Sequence, residues 1–287
     1  MLPKIDVPVF HTPAGVPYLK GPGAIMIARP MVDLSGMKNF LDGYDPALSF
    51  SLYLDDPDEL PPAEALTKVA GQLCYLSFGP KRSTNARAQG YFENIKASKH
   101  GSVLEHAVFS FVLYGVTRSV THELVRHRAG TAISQVSQRY VDGTRLRFVE
   151  DIPFQLVGEL HERFIRRIEY LHREYHEIAD ILMDQQSRGL SILSGDAKTD
   201  LRKKVQQTAR ECLPNETEAP ICLSGNVRAW RHICEMRASE HADIKVRAAL
   251  MNVFHCLRAE APMLFEDYEV IKLPDGTEAV RTLHSKV

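Results

Sequence analysis

The chain has 287 residues, of which 44% are hydrophobic and 25% charged, and its formal net charge is -1. This composition is typical of a globular protein with one large domain or two modest ones, and a net charge near zero means that an anionic ligand must be bound by a local cluster of Arg or Lys. No apolar run approaches the roughly 20 residues that span a bilayer, and residues 1–30 lack the pattern of a signal peptide, so we expect a cytoplasmic protein without a membrane partner.

The first 62 residues differ in texture from the rest. They are rich in Pro and Gly, and they end in an acidic run at 54–60 followed by Pro61 and Pro62. This pattern predicts a loop-rich N-terminal extension (1–62) of unknown role, with a break near Pro61 and the main domain over 63–287.

Helical and extended segments alternate after the break. Apolar residues at spacings of three and four predict a helix over 63–76, and β-branched and aromatic residues predict a strand within 103–117. A short helix over 118–128, stopped by Gly130, and an extended segment over 140–149 follow.

The second half of the chain is mainly helical. The clearest element is an amphipathic helix over 157–186, about 45 Å long, and further helices are expected over 200–213 and, in one or two pieces, over 226–258. Strands and helices without regular βαβ spacing predict an α+β fold, with a β-sheet flanked by long helices.

The densest polar cluster lies between Arg126 and Tyr140. Its Arg126-His127-Arg128 could simply complement the negative end of the preceding helix dipole. On an extended strand, however, Ser137 and Arg139 project to one face and offer a hydroxyl and a forked guanidinium to a phosphate. Both interpretations stay open on these residues alone.

Two other segments carry concentrated polar groups. His100 to His106 places His, Ser and Glu ahead of the apolar strand, where they could cap it. Arg228 with His232, and Arg237 with His241, are i, i+4 pairs on a predicted helix. Such pairs are common on ordinary polar surfaces, but they could also line a pocket.

No metal site is predicted. His122 and His127 are five residues apart, about 500° of helix rotation, so they cannot hold one zinc ion together as an HExxH pair does. The five cysteines are widely spaced and include no CxxC pair, which argues against a cysteine-rich zinc site and against a disulfide framework.

Taken together, these motifs resemble the flavin-dependent thymidylate synthase family, also called thymidylate synthase complementing proteins. The family signature is Arg-His-Arg, seven residues, Ser, then Arg-Tyr; here eight residues separate Arg128 from Ser137. The likeness extends upstream to 100–106 and downstream through Ala209-Arg210, Asn226-Val-Arg228 and 237–241. Residues 1–60 find no counterpart in it.

The resemblance implies a fold particular to the family and a homotetramer that shares its active sites between subunits. The implied FAD-binding residues are Ser102, Glu105, Arg126, His127, Arg128, Asn226, Arg228, His232 and His241. The implied dUMP-binding residues are Glu123, Gln135, Ser137, Gln138, Arg139, Arg210 and Arg237. The implied catalytic residues are Arg237, Ser137 and His100, the last near flavin and folate.

The implied reaction converts dUMP to dTMP with 5,10-methylenetetrahydrofolate as carbon donor and NADPH, through FAD, as hydride source. None of the cysteines stands in the Pro-Cys-His setting that the flavin-free synthase uses, so no cysteine is expected to be essential.

Two alternatives compete with this hypothesis. A nucleotide- or RNA-binding protein is disfavoured by the near-zero charge and single Trp, and a folate- and flavin-dependent tRNA uridine methylase by the missing dinucleotide fingerprint. We therefore expect no nucleic-acid partner.

Overall fold

The computed structural model describes residues 1–53, 59–78, 87–189, 193 and 198–287. The strands in this part of the chain are β1 (Lys4–Ile5), β2 (Val9–His11), β3 (Pro17–Leu19), β4 (Gly23–Ala28), β5 (Val108–Tyr114), β6 (Thr131–Gln135), β7 (Phe148–Val149), β8 (Ile221–Asn226), β9 (Tyr268–Lys272) and β10 (Glu278–Thr282). The helices are α1 (Met37–Asp42), α2 (Pro62–Tyr75), α3 (Ala88–Ala97), α4 (Arg118–Leu124), α5 (Ile152–Leu156), α6 (Gly158–Ser187), α7 (Lys198–Ala209), α8 (Val227–Arg237), α9 (Ile244–Glu260) and α10 (Pro262–Phe265).

The central element is an antiparallel five-stranded sheet with the order β1-β4-β5-β8-β6. One face carries the inward residues of β5, such as Phe109 and Phe111, and it packs against α8 and α9 in the main hydrophobic core. The fully buried Trp230 of α8 donates its indole N–H to the Phe109 carbonyl at 3.2 Å. The expected α+β mixture of sheet and flanking helices is confirmed.

A second, smaller core lies under α6. The strands β2, β3 and β7 form a three-stranded sheet, and Tyr18 and Phe148 of this sheet pack against Phe164 and Ile168 of the long helix. The predicted helix over 157–186 is confirmed almost to the residue. Its apolar stripe is the one that faces this core.

The N-terminal segment is where the sequence-based expectation is wrong. Residues 4–28, expected to be loop-rich, contribute four strands, and β4 pairs with β5 from Gly23↔Tyr114 to Ala28↔Ser110. Pro and Gly occur here because the strands are short and joined by tight turns. Residues 54–58 of the acidic run lie outside the described part of the chain, and a domain boundary at residue 62 stays a prediction.

Two further boundaries differ from expectation. The helix α4 ends at Leu124, so Arg126-His127-Arg128 lies in the connection that follows it. The segment over 140–149 is extended only at β7, because Gly143–Arg145 forms a 3-10 turn against α6. A Cβ on Gly143 would lie 2.5 Å from the Tyr175 ring, so this close packing requires glycine. The helices over 62–75, 198–209 and 227–260, the last in two pieces, agree with the predicted segments.

Candidate active site

A cleft of about 390 Å³ opens where β8 turns into α8. It contains four of the residues expected to bind FAD, Glu105 from one stretch of sequence and Asn226, Arg228 and His232 from another. The residues that line this Arg228 cleft are Glu105, Ala129, Gly130, Asn226, Arg228, Ala229, His232 and Lys286. Its volume is within the roughly 300–1,000 Å³ of ordinary small-molecule sites.

Asn226 fixes the floor of the Arg228 cleft. Its side-chain oxygen accepts a hydrogen bond from the backbone N–H of Ala229 at 2.8 Å and so caps α8. Its own backbone N–H donates to the carbonyl of Gly130 at 3.0 Å. Gly130 has φ +71°, and a Cβ there would lie 2.8 Å from the Asn226 amide nitrogen. The signature loop with its eight-residue spacing therefore passes the cleft at a position that favours glycine.

Arg228 forms one wall of this cleft and also lines a second one. Its guanidinium pairs with Glu105 at 2.6 Å, and both side chains are about half exposed. A Cβ on Gly101 would lie 2.9 Å from the Arg228 Nε, so the 3-10 turn Gly101–Glu105 packs directly on the guanidinium. The ion pair thus brings together two of the residues expected to bind FAD, Arg228 and Glu105.

The second cleft, the His100 cleft, has a volume of about 570 Å³. It contains His100 and Ser102, both exposed, and it shares Arg228 with the first cleft. Its lining residues are Gly71, Cys74, Tyr75, Ser77, Tyr91, Asn94, Ile95, Lys99, His100, Gly101, Ser102, Val103 and Arg228. Aromatic rings and polar groups side by side suit a flat heterocycle with polar substituents.

Arg237, at the end of α8, is the centre of a third group. Its Nε donates to the His127 Nε2 at 2.9 Å, and its Nη1 lies 2.9 Å from a Glu123 carboxylate oxygen. Arg126 approaches the same carboxylate at 3.7 Å. The His127 ring is 5.8 Å from the ring of His232, which lines the Arg228 cleft. The predicted catalytic arginine therefore adjoins the predicted flavin site.

The charge state of His127 follows from these neighbours. Burial first, and then the charges of Arg237 and His232, lower the pKa of His127 to about 4. His127 is therefore neutral at pH 7, and its Nε2 accepts the hydrogen bond from Arg237. A neutral imidazole orients the guanidinium without adding a second positive charge.

Four of the residues expected around dUMP lie at the end of β6 or directly after it. Gln135, the last residue of that strand, donates its side-chain amide to the Thr121 hydroxyl at 2.8 Å, and Gln138 is buried. Ser137 and Arg139 do not lie on a strand, which corrects the prediction. Their segment is a turn in which the Arg139 N–H donates to the Ser137 hydroxyl at 3.3 Å. Strand alternation therefore says nothing about which face they share.

The structure adds one residue here that sequence reasoning missed, Lys203, close to the predicted Arg139. Lys203 on α7 places its ammonium 4.8 Å from the centre of the Tyr140 ring, and the Arg139 guanidinium carbon is 5.9 Å from the same ring. A hydrogen bond from Lys203, and then its charge, lower the pKa of the Tyr140 hydroxyl. Arg210 follows α7 in the turn Arg210–Cys212. The i, i+7 spacing of Lys203 and Arg210 was the signal available in the sequence.

His241 is not in the Arg228 cleft. The helix α8 ends at Arg237, so Arg237 and His241 do not share a helical face, whereas Arg228 and His232 do. The His241 side chain is 89% exposed and lines a separate cleft beside the β9–β10 hairpin. Arg126 and Arg128 are exposed on the loop before Gly130. A single chain therefore assembles only part of the expected FAD set.

Fold and site together define an α+β protein whose clefts are lined by guanidinium, imidazole and amide groups. Residues 58–263 match the family model of thymidylate synthase complementing proteins. The chain belongs to this family.

Similar proteins named flavin-dependent thymidylate synthase cover most of the chain. One from Mycobacterium marinum is 42% identical over 222 residues, 75% of this chain and 83% of its own length. One from Corynebacterium efficiens is 40% identical over 223 residues, 75% of this chain and 84% of its own. One from Mycobacterium tuberculosis is 41% identical over 218 residues, 75% and 83% respectively. The family and enzyme class predicted from the motifs are confirmed.

Proposed function

We propose that this chain converts dUMP to dTMP as a flavin-dependent thymidylate synthase, using FAD, NADPH and 5,10-methylenetetrahydrofolate. The observation that carries the proposal is the contact of Arg237 with His127, because it joins the predicted catalytic arginine to the histidine of the family signature at 2.9 Å. His232 connects this pair to the Arg228 cleft.

FAD fits the Arg228 cleft by the chemistry of its donors. Arg228, His232 and the start of α8 favour a phosphate group. When bound, the flavin supplies the hydride chemistry, while the protein supplies orientation and charge. We place the folate in the His100 cleft, since Arg228 borders both clefts.

Arg237 is positioned to act on the uracil ring. Its Nε and Nη1 are engaged by His127 and Glu123, and no hydrogen bond within the described residues uses Nη2. A fixed cation at a uracil carbonyl stabilises the enolate character that develops when C5 bonds to carbon. The neutral His127 imidazole and the Glu123 carboxylate hold the guanidinium in one orientation, so little reorganisation is required during the reaction.

The dUMP phosphate is assigned to Arg139, Lys203 and Arg210. Lys203 and Arg139 both approach the Tyr140 ring, so two cations lie at one exposed aromatic residue. Arg binds phosphate with two parallel hydrogen bonds, and Lys adds a point charge. Ser137 is assigned a hydrogen bond to the substrate, since a serine without an adjacent base is a poor nucleophile.

A homotetramer with shared sites is also proposed. The sheet face opposite the core carries β5 residue Val108, 46% exposed, and Ile27 on β4 is 49% exposed. On α6, Ile181 is 59% exposed. Exposed apolar residues on extended elements favour subunit contacts, and a partner could complete the partial FAD set. Analytical sedimentation of the wild-type protein should give the mass of four chains, and Ile181→Arg should give a smaller assembly. A monomeric wild-type protein would contradict the proposal.

The activity is tested by tritium release from [5-³H]dUMP with methylenetetrahydrofolate, FAD and NADPH, omitting each component in turn. Release should require both folate and reduced flavin. A yellow protein that releases no tritium would point to another flavoenzyme, and a colourless inactive protein to a phosphate-binding module.

In the described part of the chain, no helix has both the length and the apolar composition needed to cross a bilayer. The cytoplasmic location and the lack of a nucleic-acid partner stay predictions.

A further inference from the structure

The segment Ser285–Val287, which follows β10, folds back onto α8. The Ser285 hydroxyl and the Lys286 backbone N–H both donate to the carboxylate of Glu235. The Val287 carbonyl accepts a hydrogen bond from the Arg231 Nε at 3.2 Å. Lys286 is thereby placed so that it lines the Arg228 cleft.

The residue on each side of Lys286 is fixed. Val287 is only 2% exposed and belongs to the main hydrophobic core. Arg231, which holds its carbonyl, is fully buried and makes a two-pronged pair with Asp267 at 2.8 Å. Lys286 itself has φ +62°, a left-handed conformation that is unfavourable for a non-glycine residue. Such strain is maintained where the surroundings over-determine the backbone, and it is concentrated at ligand sites.

The charge balance of the cleft favours an anion. The one carboxylate among its lining residues, Glu105, is already paired with Arg228 at 2.6 Å. Within the described residues, the Lys286 ammonium takes part in no ion pair, and its side chain is exposed. The cleft also lies at the first turn of α8, where the helix dipole is positive.

We propose that Lys286 binds a phosphate oxygen of FAD in the Arg228 cleft, beside Arg228. The inference rests on the proposed placement of FAD in that cleft. Lys286 lies in the segment after β10, outside residues 58–263 that match the family model. Glu235 is then a positioning residue, because it holds the backbone of Lys286 and does not line the cleft.

The test measures FAD binding to flavin-free protein by the quenching of flavin fluorescence. Lys286→Gln should weaken FAD binding about 3- to 10-fold at low salt, as expected for one exposed charge contact. Lys286→Arg should keep the wild-type affinity. The matched control is Lys272→Gln, an exposed lysine on β9, which should bind as wild type does. In about 0.5 M salt, wild type and Lys286→Gln should converge, because the charge contact is screened.

Arg228→Gln separates this inference from the proposal on which it rests. If Arg228→Gln weakens FAD binding while Lys286→Gln stays within about twofold of wild type, Lys286 is not a cofactor ligand. If Lys286→Gln weakens binding equally at low and high salt, the effect is structural and the inference is wrong. If neither variant changes the affinity, the Arg228 cleft is not the FAD site and the placement of the cofactor fails with it.

Discussion

Replacing Arg237 with Ala separates catalysis from stability. The Arg237–Glu123 pair joins side chains that are 23% and 35% exposed, so it contributes up to about 1 kcal/mol, and the bond to His127 adds about 1 kcal/mol. The melting temperature should fall by about 2–8 °C. Removal of the cation that stabilises the negative charge developing on the uracil ring should lower kcat about 100- to 1,000-fold. The activity change is therefore far larger than the stability change.

The assay is tritium release from [5-³H]dUMP, with flavin absorbance and thermal melting recorded on the same protein. Arg167→Ala is the matched control, because Arg167 also forms an ion pair with a carboxylate, that of Glu216. The two side chains are 36% and 17% exposed. The control should show a similar fall in melting temperature with activity within about threefold of wild type.

Three results would refute the reasoning about Arg237. Activity within about threefold of wild type would remove Arg237 from the reacting uracil. A colourless variant would move the residue into the flavin site. A fall in melting temperature beyond about 10 °C would assign it a structural role instead.

Four further outcomes are expected. Cys212→Ser and Cys234→Ala should keep turnover within about twofold, because no step needs a thiolate and burial raises the pKa of Cys234 to about 12; a loss of turnover with flavin bound would contradict the mechanism. The free energy of unfolding of the flavin-free protein should decrease as pH falls from about 6.5 toward about 4, because His127 is protonated in this range only in the unfolded chain. Urea unfolding of His127→Gln should show a weaker dependence of this free energy on pH. Asn226→Ala should destabilise the fold by about 1 kcal/mol through loss of the α8 cap, and Asn226→Ser should not. Arg139→Gln should raise the KM for dUMP about tenfold or more with flavin absorbance unchanged, and an effect on kcat alone would argue against phosphate binding.

The sequence by itself determined the elements whose signals are local. The helix α6 was predictable because its apolar residues repeat every three or four positions for 30 residues. The signature residues from Arg126 to Tyr140 and the motif at 226–228 identified the family, since the identities and order of these residues can be read along the chain even though one spacing is a residue longer. Local sequence rules also predict the break between α8 and α9 and the asparagine that caps the start of α8.

Tertiary structure decided what depends on distant partners. The strand β4 exists because it pairs with β5, more than 80 residues later in the chain, and no local periodicity carries that information. In the same way, the 3-10 turn at Gly143 packs on Tyr175 of α6, a distant contact that local sequence patterns do not record.

The site shows the same division. The sequence supplied Arg228 and Arg237 as candidates, but only the fold placed Arg228 against Glu105 and Arg237 against His127. It also brought Lys286, from the segment after β10, to the cleft and left His241 outside it. The physical reason is that side chains converge through sheet pairing and burial of the core, which are long-range interactions, whereas a sequence motif records only neighbours along the chain.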